Sequence, residues 1–351
     1  MKVFWKIPTQ FEYKDVGLTI GVFDGVHCGH QKIITGLVDS CRKKGMTSLV
    51  FTFEVHPRKI LLPPPAKVGS DSIHSLTTLN QKIDILANLG VEVVIITDFE
   101  QEIMNLEARE FVENVLVDKL KMRQMWIGTN YLFGKNRLGD IKLLQELSRE
   151  KRFKLHIVEP VEFEDELISS TRIRKYLKQG DVRAANLLLG RHYTIVGTVI
   201  HGVKRGRILG YPTANIKWDE EILLPKEGVY AVQVKFDDED YNGIANLGYR
   251  PTFRDNTSEG KDTEEQKSRR AEGYQPTFRG NTSGEVLLRD KKELMFEVHI
   301  LDFNEEIYFK ELNISFVRRI RDEMRFKDSD SLIEQLKEDE KQGRELLINN
   351  Y

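Results

Sequence analysis

The spacing of apolar residues changes near residue 190, and this change constrains the fold more than any other feature of the chain. Before it, short apolar runs alternate with helical patterns. Residues 18–23, 48–53, 91–97, 125–128 and 154–158 read as strands, and 31–44, 79–89, 108–120 and 141–150 as helices. Strands joined by helical crossovers demand a parallel sheet covered on both faces. A helical stretch over 171–189, broken at Gly180-Asp181, follows. Beyond it, 193–200, 229–236, 242–247, 293–301 and 312–320 read as successive strands separated by turn signals, which predicts a barrel or sandwich. Residues 328–347 are charged, with Leu332, Ile333, Leu336 and Leu346 as an apolar stripe, and read as an amphipathic helix packed on the barrel. The expected class is therefore α/β plus β, divided as 1–186 and 187–351. The 351 residues also exceed what one core usually holds.

Composition removes several classes of function. The net charge of −2 argues against broad binding to nucleic acid or an anionic membrane. Two cysteines, Cys28 and Cys41, make no disulfide framework and no zinc cluster. Residues 1–10 lack the apolar core and cleavage site of a signal peptide, and no run approaches membrane-spanning length. A cytoplasmic protein is expected. Oligomeric state is left open.

The chemistry begins at Gly21-Val-Phe-Asp-Gly-Val-His-Cys-Gly-His-Gln31. A strand ends there in a glycine turn that runs straight into a helix. The first N–H groups of a helix lack internal partners and attract anions, so a phosphate suits the junction. Gly29 lets it approach, and His27 and His30 add donors that follow charge as it builds on phosphorus. Two histidines in a turn are commonly just surface or packed residues; the flanking strand and helix favour the phosphate reading. No Gly-Lys-Ser/Thr follows, so this is not a P-loop, and the Gly-x-Gly-x-x-Gly fingerprint is absent. Cys28 puts a thiol inside the same loop.

Three further constellations bear on function. In Ile168-Ser-Ser-Thr-Arg-Ile-Arg174, Ser169 or Ser170 can cap a helix whose arginines, Arg172 and Arg174, could clamp a triphosphate. A plain capped helix with surface arginines is the bland alternative. In Gly206-Arg-Ile-Leu-Gly-Tyr-Pro-Thr-Ala-Asn215, a glycine-rich basic loop can wrap phosphates, and Thr213 and Asn215 offer hard oxygens for Mg²⁺. In Met295-Phe-Glu-Val-His-Ile-Leu-Asp-Phe303, Glu297 alternates with Phe296 and Val298. A carboxylate on a ligand-lined inner barrel face could act as a general base, although strand period alone favours a solvent-facing Glu.

One segment is duplicated. Gly248-Tyr-Arg-Pro-Thr-Phe-Arg-Asp-Asn-Thr-Ser recurs as Gly273-Tyr-Gln-Pro-Thr-Phe-Arg-Gly-Asn-Thr-Ser, around a charged stretch at 259–272. That stretch cannot bury enough apolar surface to offset its ordering entropy, so an exposed loop over about 254–284 is expected. Loop closure costs grow slowly with length, and the barrel should tolerate it.

Together the motifs resemble the bacterial bifunctional riboflavin kinase/FAD synthetase family. The matching stretches are 21–31, 128–140, 168–174, 209–216, 225–231, 246–253 and 297–303, in the family's order and over essentially the whole chain. The resemblance implies an N-terminal Rossmann-like nucleotidyltransferase that makes FAD from FMN and ATP. It also implies a C-terminal riboflavin-kinase barrel that makes FMN from riboflavin and ATP, with Mg²⁺. By that resemblance Gly21, Phe23, Asp24, His27, Gly29, His30, Ser170, Thr171, Arg172 and Arg174 would bind ATP in the first module. Gly206, Gly210 and Thr213 would bind ATP in the second. Asn130, Arg137 and Arg321 would contact flavin, Thr213 and Asn215 would hold the metal, and Glu297 would be the base, with His27 and His30 catalytic in the other module. Two departures stand out: Val55 where the family usually has proline, and the duplication, of which the first copy fits the family's place. A nucleotidyltransferase of single activity, or a flavin-binding regulator, are the competing readings. The Pro-Thr-Ala-Asn loop and the Glu297 strand speak against the first, and intact His27, His30, Thr213, Asn215 and Glu297 against the second.

Overall fold

The computed structural model describes residues 1–54, 74–97, 106–202, 210–249 and 294–348. Gly206, Val55 and the duplicated loop fall outside these residues. The α/β part is a six-stranded parallel sheet of β1 (Lys2–Phe4), β2 (Val16–Ile20), β3 (Thr47–Phe53), β4 (Val93–Thr97), β5 (Met122–Gly128) and β6 (Lys154–Val158). The strand order is β1-β4-β3-β2-β5-β6. Strands β2 and β4 are buried along their whole length, as expected of a parallel sheet covered on both faces. From β2 the sheet grows in both directions, so a crevice opens at the carboxyl ends of β2 and β5, the usual ligand position in such sheets.

The crossovers include α1 (Cys28–Lys44), α2 (Leu79–Asn88), α3 (Ala108–Glu110) and α4 (Ile141–Glu150). The 108–120 pattern starts as α3 and continues as a π-wound helix over Phe111–Lys119, not as one α-helix. Strand β1 was not anticipated, because three residues carry no readable period; it pairs with β4 at the sheet edge.

A small hairpin, β7 (Glu162–Phe163) and β8 (Glu166–Leu167), leads into α5 (Ser170–Gln179) and α6 (Val182–Leu189). Gly180 breaks the two helices at φ 83°, as the sequence suggested. The buried faces of α5 and α6, at Ile173, Leu177, Val182, Ala185 and Leu188, join the core of the barrel rather than that of the sheet. Residue 186 therefore lies inside a helix packed on the second unit.

The barrel closes in the order β10-β13-β12-β11-β14-β9. Its strands are β9 (Tyr193–Ile200), β10 (Ala214–Trp218), β11 (Gly228–Phe236), β12 (Glu239–Tyr249), β13 (Leu294–Ile300) and β14 (Glu311–Arg321), all antiparallel. Strand β10 emerges from the end of what the sequence read as a glycine-rich loop. Alternate residues fill the interior, among them Ile195, Ile216, Val232, Leu247, Phe296, Val298 and Phe316. Helix α7 (Ser329–Ile348) lies across the outside, with Asp339, Gly343 and Leu347 on its buried face. Asp339 receives Arg321 at 2.7 and 2.6 Å, a bidentate pair that ties α7 to β14.

Candidate functional site

The first site occupies the carboxyl end of β2. Between β2 and α1 the chain passes through Phe23 (φ 48°), Gly25 (φ 77°) and Val26 (φ 37°), all left-handed. Glycine adopts this freely; a β-branched valine does not. Such strain persists only where its surroundings hold it. Here three largely buried cations do so. Lys82 donates to the Val22 and Phe53 carbonyls at 2.9 and 3.3 Å. Arg174 pairs with the Asp24 carboxylate and donates through Nε to the His74 carbonyl at 2.8 Å. Arg191 donates to the Gly25 and Val26 carbonyls at 2.7 and 3.3 Å. Asp24 also accepts the Leu76 amide at 2.8 Å, and Ser170 Oγ donates to the Asp24 carbonyl at 2.9 Å.

His27 caps α1. Its Nδ1 accepts the His30 amide at 3.4 Å, so the neutral ring carries its proton on Nε2, ready to donate. The two imidazoles stack at 3.6 Å, and Phe23 meets His30 edge-on at 5.2 Å. Burial, reinforced by the charge of Arg191, pushes His27 down to about 4. Burial, then His27 and Lys82, hold His30 well below the usual imidazole range. Burial also pushes Lys82 down to about 8. His30 Nδ1 is buried without a hydrogen-bond partner in the structure. Neutral donors in front of buried cations suit a polyanion.

A stability consequence follows. In the unfolded chain His27 binds a proton near its ordinary 6.5, but only near 4 when folded. Between these values the unfolded form holds more protons. The stability from a neutral His27 is thus full above pH 6.5 and is lost as pH falls toward 4. The loss reaches about 3 kcal/mol. Thermal unfolding at pH 7 and pH 5 should show about 2 kcal/mol of this drop, and His27→Gln should remove that part while leaving the part due to His30.

Helix α5 meets the loop with a division of labour. Ser169 is its cap, accepting the Arg172 amide at 3.2 Å, while Ser170 reaches the loop and Thr171 is exposed in the first turn. The expected arginine clamp does not form. Two residues along a helix turn about 200°, so Arg172 and Arg174 face opposite ways. Arg172 donates to the Phe163 and Glu166 carbonyls at 2.7 and 2.9 Å, bracing the hairpin of β7 and β8. Gly21 and Gly29 flank the loop as expected, and a Cβ at Gly29 would press on the His27 ring at 3.2 Å. Asn130 and Arg137 are exposed in the segment after β5, Arg137 at φ 59°. Cys28 is half-buried, and burial raises its thiol.

The second site lies on the outside of the barrel. Phe296, Val298 and Ile300 point inward, so Glu297 and His299 face outward, and the inner-face alternative does not hold. An inward carboxylate would have faced a packed apolar core. Strand register puts Glu297 directly opposite Asn215 on one side and Asn246 on the other. Such neighbours have Cβ atoms about 5 Å apart. A Cβ at Gly202 would collide with the Asn215 amide, so glycine there leaves Asn215 its place. His299 Nδ1 donates to the Pro212 carbonyl at 2.7 Å, pinning the turn that carries Thr213. Beside Thr213 a cavity of about 320 Å³ opens, walled by Ala214, the inward-facing Val298 and Ile300 and residues 303–308, so it meets the outer row at Thr213 and not at Glu297. Gly210, at φ 84°, begins this turn. Arg321 shares the outer face but lies three strands from Glu297, roughly 14 Å by sheet spacing. Its guanidinium is committed to Asp339.

Sequence reasoning missed Lys82, Arg191 and Asn246. Lys82 did leave a trace: it sits between Leu79 and Leu86 on the buried stripe of α2, where an apolar residue is expected. Arg191 left none.

Residues 10–172 match the FAD synthetase family and residues 189–347 the riboflavin kinase family. The bifunctional riboflavin kinase/FMN adenylyltransferase of Listeria monocytogenes is 35% identical over 96% of this chain and 94% of its own. Those of Bacillus subtilis and Escherichia coli K12 are 33% and 31% identical, over 93% of this chain and 90% and 91% of theirs. A crystal structure described as a macrolide-efflux protein from Streptococcus pneumoniae superposes with a TM-score of 0.79 at 29% identity, covering 97% of this chain and 98% of that one. Among the described residues no helix is long and apolar enough to cross a membrane. With both halves matched in order and relatives aligned nearly end to end, the chain belongs to the bifunctional riboflavin kinase/FMN adenylyltransferase family.

Proposed function

We propose that the two sites divide the chemistry of the family between them: adenylyl transfer at the loop of residues 21–30, and phosphoryl transfer at the Asn246–Glu297–Asn215 row. The chain is a riboflavin kinase and an FMN adenylyltransferase. The observation that carries the assignment of the first site is the stacked, neutral His27–His30 pair at the head of α1, backed by buried cations.

In the first module an FMN phosphate oxygen attacks the α-phosphorus of ATP, and the bond to pyrophosphate breaks. The nucleophile is already anionic, so no base is needed. The work is to stabilise the charge that gathers on the departing pyrophosphate. The α1 amides, His27 Nε2 and His30 supply donors, and the first turn of α5 with Thr171 adds to them. Arg174 and Ser170 act by holding Asp24. Asn130 and Arg137 are the exposed candidates for flavin contact.

In the second module the riboflavin 5′-hydroxyl attacks the γ-phosphorus of ATP as the bond to ADP breaks. Glu297 accepts the hydroxyl proton. Positioning and charge neutralisation do the rest. The cavity beside Thr213 is of a size to receive part of the nucleotide. Among the described residues no cluster of three His, Cys, Asp or Glu is present to cage a metal. Thr213 and Asn215 instead offer neutral oxygens, which fits Mg²⁺, an ion that usually takes few protein ligands and completes its shell with substrate phosphates and water. When bound, Mg²⁺ would offset phosphate charge.

Chromatography of the flavins formed from riboflavin, ATP and Mg²⁺ tests the whole scheme. FMN should appear first and FAD after it. A protein that binds flavin yet consumes no ATP would instead be a regulator.

A further inference from the structure

We infer that Arg191, which lies in the segment matched to the riboflavin kinase family, is a positioning residue for adenylyl transfer in the other module. The inference rests on the His27–His30 loop being the ATP site. Helix α6 ends at Gly190 in a left-handed turn of φ 68°, and Arg191 comes next. Its guanidinium spans the carbonyls of Gly25, Val26 and Leu189 at 2.7, 3.3 and 3.3 Å. Gly25 and Val26 are the left-handed residues immediately before His27. Gln31 adds a second tie from α1, donating to the Val26 and Leu189 carbonyls at 2.8 Å each. Cys28 Sγ approaches the Leu187 carbonyl at 3.7 Å. The end of α6 is thus laced to the loop and first turn that carry the histidines.

Two physical effects meet in this one side chain. It clamps a turn whose valine is strained, and so fixes where α1 begins. It also brings positive charge behind His27, because its hydrogen-bond partners among the described residues are neutral carbonyls, with no carboxylate to cancel it. Burial pushes Arg191 down to about 10, still charged at pH 7. A misplacement of about 1 Å in a reacting constellation can cost about 10²-fold. None of the carbonyls that Arg191 holds belongs to the Asn246–Glu297–Asn215 row.

Arg191→Ala and Arg191→Lys, each in the full chain, test this by steady-state rates of both reactions. For Arg191→Ala, kcat for FAD formation from FMN should fall about 30-fold or more, with KM for ATP changing less than about threefold. FMN formation from riboflavin should stay within about twofold, because the clamp does not touch the barrel row. Arg191→Lys keeps the charge and one carbonyl bond, and should recover about tenfold over alanine. FAD formation in Arg191→Ala near that of the unaltered protein would overturn the inference. So would an equal loss of both activities, which is a folding defect, or a lysine variant no better than alanine. His30→Ala serves as the control. If it leaves FAD formation intact, the ATP-site reading itself has failed; if it abolishes FAD formation while Arg191→Ala does not, only the role of Arg191 falls.

Discussion

His30→Ala should lower FAD formation from FMN and ATP by about 10²–10³-fold, the usual cost of removing one preorganised donor to developing charge. FMN formation from riboflavin should be unchanged, because the kinase row lies on the outer barrel face. The expectation rests on where His30 sits. Its ring is stacked on His27, edged by Phe23 and held neutral by burial, so its orientation is set before ATP arrives. The loss should fall on kcat more than on KM, since the donors act on charge that grows as pyrophosphate leaves. His30→Asn keeps a side-chain donor and should recover part of the rate. Steady-state assays with FMN supplied directly separate this step from the kinase. A rate for His30→Ala within a few-fold of the unaltered protein would remove the ring from the mechanism.

Glu297→Gln should do the reverse. Phosphorylation of riboflavin should fall by about 10²–10⁴-fold, the contribution of a positioned general base. FAD formation from supplied FMN should persist. Glutamine preserves the size of the side chain at its place opposite Asn246 and Asn215, so loss of fold is not the expected cause. An unchanged melting temperature would check this. If Glu297→Gln phosphorylates riboflavin at the normal rate, the proton leaves by another route and the row serves only to bind. The two variants mixed in one tube should restore conversion of riboflavin to FAD, because FMN made by the His30→Ala protein can be adenylylated by the Glu297→Gln protein.

Much of the fold was legible because its signals are local. The apolar run at 48–53 and the 3.6-residue period at 141–150 report their own burial, and the change to successive strands after 190 separated sheet from barrel. What was missed is short or bent. Strand β1 has three residues, and β10 has five and begins beside a turn rich in glycine and proline. The π winding at Phe111–Lys119 has no signature distinct from an α-helix. The geometry of the first site was legible in part for a similar reason: a strand, a glycine turn and a helix N-terminus are contiguous in the chain.

The sequence by itself determined that Gly25 could take a left-handed turn, that His27 and His30 would stand one helical turn apart at the head of α1, and that Glu297 would alternate with apolar residues. Only the tertiary structure decided what surrounds them. It turned Arg172 away to the hairpin, committed Arg321 to Asp339, set Glu297 on the outer face between Asn215 and Asn246, and brought Lys82 and Arg191 beneath the loop that leads into α1 from 60 and 166 residues away. Periodicity records which face of an element is buried. It does not record which distant carbonyls need a cation, because that depends on how the elements pack.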